Sequence, residues 1–168
     1  MNENKSSNEV DILEEMLSLD KINILYLDDD ENVLQSYRHM FRFDYNIFAT
    51  TEVKEAIEII QKNEIHVIVS DHHMPNITGV EFFATIIDEY PEPIRILLTG
   101  FSNFNSITDS SNFNNIYWYI TKPFTSKEMK LIIKNAAELY FLKKQLRRLL
   151  SDQPSVNEQS DTIRENVE

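Results

Sequence analysis

The residues in this chain best equipped for chemistry sit where apolar runs stop. The run INILYL ends at Asp28, Asp29, Asp30 and Glu31. The run Val67, Ile68, Val69 leads to Asp71 within the block SDHHMPNITG. IRILL closes in Thr99-Gly100, and a fifth apolar stretch at 116–120 runs into Thr121, Lys122 and Pro123. Three carboxylates in one small pocket repel each other and raise their own pKa values unless a cation neutralises them. A hard divalent ion with oxygen ligands does this, and Mg²⁺ (or Mn²⁺) suits a site that handles phosphate. Thr99 can donate a hydrogen bond to an anionic oxygen, and Lys122 supplies a point positive charge. Such a set is equipped to receive a phosphoryl group on one carboxylate, with metal, lysine and hydroxyl sharing its charge.

That chemistry requires elements that bring the run ends together. Strands are predicted at 22–27, at 45–50, through Val67 to Val69, at 94–98 and at 116–120. Apolar residues at helical spacing predict helices at 31–43, 52–63, 79–90 and 126–150, the third ended by Pro91 and Pro93. The Asn- and Ser-rich stretch 101–115 predicts a loop with a weak, mobile helix. Strand and helix therefore alternate, which predicts an α/β fold: a doubly wound, five-stranded parallel sheet with helices on both faces. In such a sheet every strand delivers its C-terminal residue to the same edge, where open α/β sheets place their ligands. Alternation along the fifth strand puts Tyr117 and Tyr119 on one face and Trp118 on the other. Taken alone, Asp28 and Asp29 are no more than an acidic helix start, and Lys122 no more than a surface lysine before a turn. Asp71 at a matching strand end favours metal binding instead. His72 and His73 are adjacent, so they rarely point the same way, and no other ligand is near in sequence.

At 168 residues one domain is the default. With 28 acidic against 16 basic residues, net −12, general binding to nucleic acid or an anionic membrane is disfavoured. The absence of cysteine excludes disulfides and thiol chemistry. Residues 1–20 are polar and acidic with no apolar core of a signal peptide, and no run reaches membrane-spanning length, so a cytoplasmic location is expected. Within that extension Val10, Leu13, Met16 and Leu17 recur at helical spacing over 10–19. A short helix packed on its own domain is the favoured reading there, a partner-docking segment the other.

The acidic pair in YLDDDENVL, the SDHHMPNITG block, LLTG and YITKPF, in this order and spacing, resemble the receiver domains of two-component response regulators. The resemblance covers about 21–140 and implies the flavodoxin-like receiver fold. It implies that Asp71 is the phosphoacceptor and that Asp28 and Asp29 hold Mg²⁺. Asp71 and the backbone carbonyl of His73 would complete the protein's metal ligands. Lys122 would bridge to the phosphoryl oxygens, its loop set by a cis peptide before Pro123. Thr99 and Tyr119 would be the switch pair, reshaping the face made by the fourth helix, the fifth strand and the last helix. His73 and Phe101 hold the two variable positions that tune phosphoryl lifetime, and a bulky Phe101 is expected to hinder the attacking water. The implied partners are a sensor histidine kinase or phosphotransfer protein and a downstream protein, and the implied activity is regulatory rather than enzymatic. Two rivals remain: a haloacid-dehalogenase-type phosphatase using Asp28, and a receiver-like module that is never phosphorylated. Against the first, Asn32 stands where its motif would carry Thr or Val, and no later strand ends in a further acidic pair.

The last helix outruns a typical receiver past about Tyr140. Ile132, Asn135, Leu139, Leu142, Leu146 and Leu149 alternate by three and four residues, a heptad-like seam. The extension at 141–150 is expected to serve a homodimer through this helix, although fewer than three full heptads make an isolated coiled coil weak. Residues 151–168 are read as a disordered acidic tail.

Overall fold

A computed structural model describes residues 22–100 and 116–151 of the chain. The elements run β1 (Asn23–Leu27), α1 (Glu31–Phe41), β2 (Asn46–Thr50), α2 (Val53–Lys62), β3 (Val67–Asp71), α3 (Gly79–Ile86), β4 (Ile94–Gly100), β5 (Trp118–Lys122) and α4 (Ser126–Ser151). The five strands form one sheet in the order β2-β1-β3-β4-β5, every pairing parallel. The β-branched run Val67, Ile68 and Val69 lies in the sheet's middle strand and is fully buried, as a strand covered on both faces must be.

Alternation along β1 divides the core in two. Ile24 and Tyr26 join Leu34, Tyr37 and Phe41 of α1 and Met129, Ile133, Ala136 and Tyr140 of α4. Leu25 and Leu27 face the other way, toward Ala56 and Ile60 of α2 and Val80, Phe82, Phe83 and Ile86 of α3. Local chemistry sets the helix starts. Asp30 caps α1 by accepting from the Asn32 amide, and Thr78 and Glu81 form a reciprocal capping box on α3. Thr125 and Glu128 make the same exchange at the head of α4.

Several boundaries differ from the sequence-based expectation, among them the end of the third helix and both ends of the fifth strand. The third helix was expected to reach residue 90 but ends at Ile86. Pro91 disfavours the helical region for Tyr90, and the intervening turn survives through one bond from the Tyr90 amide to the Ile86 carbonyl, 2.8 Å. The fifth strand runs from Trp118 to Lys122 rather than from 116 to 120. Its partner β4 continues to Gly100, and pairing of Thr99 with Thr121 and Gly100 with Lys122 keeps the polar end extended. As a result Lys122 lies in the strand itself, not in a loop after it.

α4 buries Met129, Ile133, Ala136, Ala137 and Tyr140, a stripe at helical spacing. Its far end is tied to the opposite edge of the sheet from the run ends. Glu64 accepts from the Tyr140 hydroxyl at 3.0 Å and from Lys144 Nζ at 2.6 Å, and Arg147 pairs with Glu92. The His66 ring packs edge-on against Tyr140 and accepts from the Asn23 amide through Nδ1. No described helix is long and apolar enough to cross a membrane.

Gly79 shows how closely α3 approaches β3. A Cβ on it would collide with the Asp71 carbonyl oxygen and meet Leu97 Cδ1 at 2.6 Å. One of those contacts is backbone and cannot swing aside. Gly79→Ala is therefore expected to cost about 1–3 kcal/mol in urea unfolding, the range for overpacking a filled site. A midpoint unchanged from wild type would show that the α3 approach is looser than described.

Candidate functional site

The C-terminal ends of β1, β3 and β5 converge on one small group of charges. Lys122 Nζ lies 2.5 Å from Asp71 Oδ1 and 3.4 Å from Asp28 Oδ2. The second oxygen of each carboxylate is held by backbone. Asp28 Oδ1 accepts from the Asp30 amide at 3.0 Å, and Asp71 Oδ2 from the His73 amide at 2.7 Å. Both carboxylates are buried, whereas Lys122 is partly open to solvent. The peptide between Lys122 and Pro123 is cis.

Burial pushes the Asp28 carboxyl above the ordinary carboxylate range, and the neighbouring Asp71 charge adds to the rise. The Asp30 amide and Lys122 oppose it without cancelling it. For Lys122, burial alone would depress the ammonium, but its bond to Asp71 and the charges of Asp71 and Asp28 raise it above its usual value. The lysine thus supplies the cation that two buried carboxylates require. Burial, reinforced by the Asp28 and Asp71 charges, also raises Tyr37, whose ring stacks on Tyr26 at 4.6 Å. The Tyr26 hydroxyl is buried without a hydrogen-bond partner among the described residues.

Other expected site residues are placed less centrally. Asp29 is exposed and lines a 350 Å³ cleft with Glu52, Met74 and Ile77, beside the charge cluster. Thr99 is buried at the end of β4, and its hydroxyl donates to the Gly100 carbonyl at 3.2 Å. Tyr117, Trp118 and Tyr119 are all more than a third exposed, so neither face of the strand is closed over there. β5 is an edge strand, and of its residues only Ile120 enters the core. Phe101 lies outside the described residues, as do the stretches 1–20, 101–115 and 152–168. Of the proposed seam, Leu139 packs against the core, while Leu142, Leu146 and Leu149 are exposed.

His73 is exposed and His72 buried, with burial and the His73 charge lowering the His72 pKa. His72 Nδ1 has no hydrogen-bond partner among the described residues, and the His72 backbone carbonyl takes the Gly79 amide at 3.1 Å. Among the described residues no three acidic or imidazole side chains gather closely enough to hold an ion unaided. Sequence reasoning missed the Glu64–Tyr140–Lys144 cluster, because the partners are 76 and 80 residues apart with no motif to link them. It also missed the close packing at Gly79, since a close backbone approach leaves no sign in spacing.

Comparison with known proteins agrees with this geometry. The family model described as response regulator receiver domain matches residues 24–134. The hydrogenase transcriptional regulatory protein HoxA of Bradyrhizobium diazoefficiens is 30% identical over 122 residues, covering 73% of this chain and 25% of HoxA. The signal receiver domain of an HD domain-containing protein from Pseudomonas fluorescens superposes with a TM-score of 0.68 at 27% identity. That match covers 75% of this chain and 93% of that one. The beryllofluoride-activated NtrC4 receiver domain dimer gives a TM-score of 0.63 at 28% identity over 70% of this chain and 98% of its own. This chain thus spans about a quarter of the length of HoxA.

The raised Asp28 pKa has a sign that can be tested. A carboxyl raised on folding loses stability as pH climbs from its unfolded value through its folded one, so its charge opposes folding at neutral pH. Asn can keep the bond from the Asp30 amide, and Lys122 keeps Asp71. Asp28→Asn is therefore expected to raise the melting temperature at pH 7 by about 2–4 °C, the shift for about 1 kcal/mol in a chain of this size. The gain should vanish below the ordinary carboxylate range. A gain that persists undiminished in acid would mean that the burial of charge is not its source.

Proposed function

The chain belongs to the response regulator receiver domain family, and from that premise we propose that it is a phosphorylation-dependent signalling switch. Asp71 accepts a phosphoryl group from a sensor histidine kinase or a phosphotransfer protein. The observation that carries this reading is the Lys122 ammonium, 2.5 Å from Asp71 and 3.4 Å from Asp28 at one sheet edge. An Asp71 carboxylate oxygen attacks phosphorus, and the bond to the donor atom breaks with its electron pair leaving on the donor. Lys122 faces the oxygen charge that this transfer places beside Asp71. The His73 amide orients the carboxylate through Oδ2.

The donor set fits a magnesium ion. It is all oxygen, and Mg²⁺ is usually held by one or two carboxylates with water making up the rest, so the lack of a three-acid cage is no obstacle. Asp28, Asp29, Asp71 and the His73 carbonyl would hold it. When bound, the ion supplies positive charge to the phosphoryl oxygens. The activity is regulatory, with the chain catalysing only its own phosphorylation and dephosphorylation.

The output in this reading is a population shift. Thr99 gives up its bond to Gly100 for the phosphoryl group, and Tyr119 leaves its part-exposed position for the space vacated. The β5 face and the elements beside it then present a different surface to a downstream protein. HoxA is by its name a transcriptional regulator, and an effector of that kind is one candidate for what such a surface controls.

Incubation with acetyl phosphate and Mg²⁺ should add one phosphoryl mass to the wild type and none to Asp71→Asn. Chelation of the metal should suppress the adduct, as should Lys122→Ala. Trp118 is the sole tryptophan and adjoins Tyr119, so its fluorescence should change with beryllofluoride in the wild type. The change should be lost in Thr99→Ala. An adduct that survives Asp71→Asn, or wild-type protein silent to both reagents, would defeat the proposal.

A further inference from the structure

α4 leaves one face open along most of its length. Leu142, Leu146 and Leu149 are each more than half exposed, and no described element covers them. Earlier on the same side Asn135 is exposed, and Ile132 and Leu139 are only partly buried against the core. From Ile132 to Leu149 these residues step by three, four, three, four and three, so they form one continuous seam. The buried stripe of Met129, Ile133, Ala136 and Tyr140 lies on the other side of the helix. Apolar side chains exposed in series mark a surface with an occupant.

The charges bordering the seam say what that occupant is. Lys144, Arg147 and Arg148 lie round the far side of the helix, where Glu64 holds Lys144 and Glu92 holds Arg147. Lys143 is placed differently. It is exposed, four residues after Leu139 and three before Leu146, which sets it on one border of the seam. Glu138, three residues after Asn135 and four before Leu142, holds the other border. Its one ion pair among the described residues is a 3.9 Å contact with Lys134. When two such helices pack in parallel, Glu138 of each faces the partner's Lys143, five residues further on, and two-fold symmetry makes the pair twice. Antiparallel packing sets Lys143 against its own copy, like charge against like. A second copy therefore supplies both the apolar complement and the opposite charge, in one orientation.

Fewer than three heptads hold an isolated coiled coil poorly, because the helices must form as they associate. Here each helix is already formed in the single chain, by its buried stripe and by the pins at Glu64 and Glu92. Stripe and seam lie on opposite sides of α4, so the two domains stand outside the helix pair and do not collide. Asn135 meets its own copy across the seam, a single polar layer that fixes the register.

We infer that the chain forms a parallel, two-fold homodimer through α4. Leu139, Leu142, Leu146 and Leu149 make its seam, and two Glu138–Lys143 pairs select its orientation. That orientation and the pair behind it are what the fold adds to the dimer expected from the heptads. The inference does not depend on Asp71 or on phosphoryl transfer.

The absence of cysteine lets single substitutions in the full chain report the geometry. Leu149→Cys should link two chains under mild oxidation, because residue 149 meets its own copy in the parallel pair. In an antiparallel pair along the same seam the two copies of residue 149 would lie about 26 Å apart. Arg148→Cys, on the far side, should not link. Sedimentation should show a monomer–dimer equilibrium. Glu138→Lys and Lys143→Glu should each weaken it by about tenfold, and the two together should restore it to within about twofold. A chain that stays monomeric at its highest soluble concentration would overturn the inference. So would linking through Arg148→Cys as readily as through Leu149→Cys, or a combined variant that dimerises no more tightly than either single one.

Discussion

Two buried carboxylates at one sheet edge are the constraint that the described site answers to. Asp28 and Asp71 come from neighbouring strands, and neither can be ionised there without a cation within reach. Lys122 is that cation, yet it lies two strands from β3. Adjacent strands are about 4.8 Å apart, so roughly 10 Å separates the backbones and only a long basic side chain crosses β4 to reach Asp71. The register that pairs Gly100 with Lys122 sets the height at which the ammonium arrives. A strand ending at residue 120 would leave it in a loop, free of that register.

The acceptor strand is equally constrained from behind. Gly79 brings the first turn of α3 against the Asp71 carbonyl, and its amide binds the His72 carbonyl. Backbone thus holds the acceptor on two sides: the His73 amide binds its carboxylate, and the α3 turn packs against its main chain. Preorganisation of this kind lets a site stabilise charge without moving to do so. The orphaned Tyr26 hydroxyl and His72 Nδ1 sit in the strand ends and turns that make this arrangement, and local polar cost of that sort is expected where function rather than stability sets the residue.

Much of this was legible in the sequence because it is periodic or local. Apolar, β-branched runs with polar ends gave the strands, the parallel sheet followed from alternating elements, and the converging edge followed from parallel pairing. The failures share a cause. The end of α3 and the start of β5 depend on a proline's effect on its predecessor and on a partner strand's length, neither visible in apolar spacing. Asp28 and Asp29 were read as one metal-binding pair, and in the fold Asp28 is buried among the charges while Asp29 is exposed and lines the adjoining cleft, a division that adjacency in sequence does not reveal. The clamp of Glu64 on Tyr140 and Lys144 joins residues far apart in the chain, so nothing short of the fold reveals it.

That clamp gives α4 a mechanical role between the two edges of the sheet. The helix begins four residues after Lys122, capped by Thr125 and Glu128, with Phe124 packed against the core and its ring beside that of Tyr37. Its other end is pinned by Glu64 and Glu92 on the opposite edge. A shift of the Lys122 strand end is therefore delivered to a long helix already anchored at its far side. Pinned ends convert such a shift into rotation or bending rather than translation. The end pinned this way is the one that carries the exposed Leu142, Leu146 and Leu149. The ion pairs that hold this end are partly exposed and individually weak, so they can yield to a small change in charge at the acceptor edge without loss of the packed core.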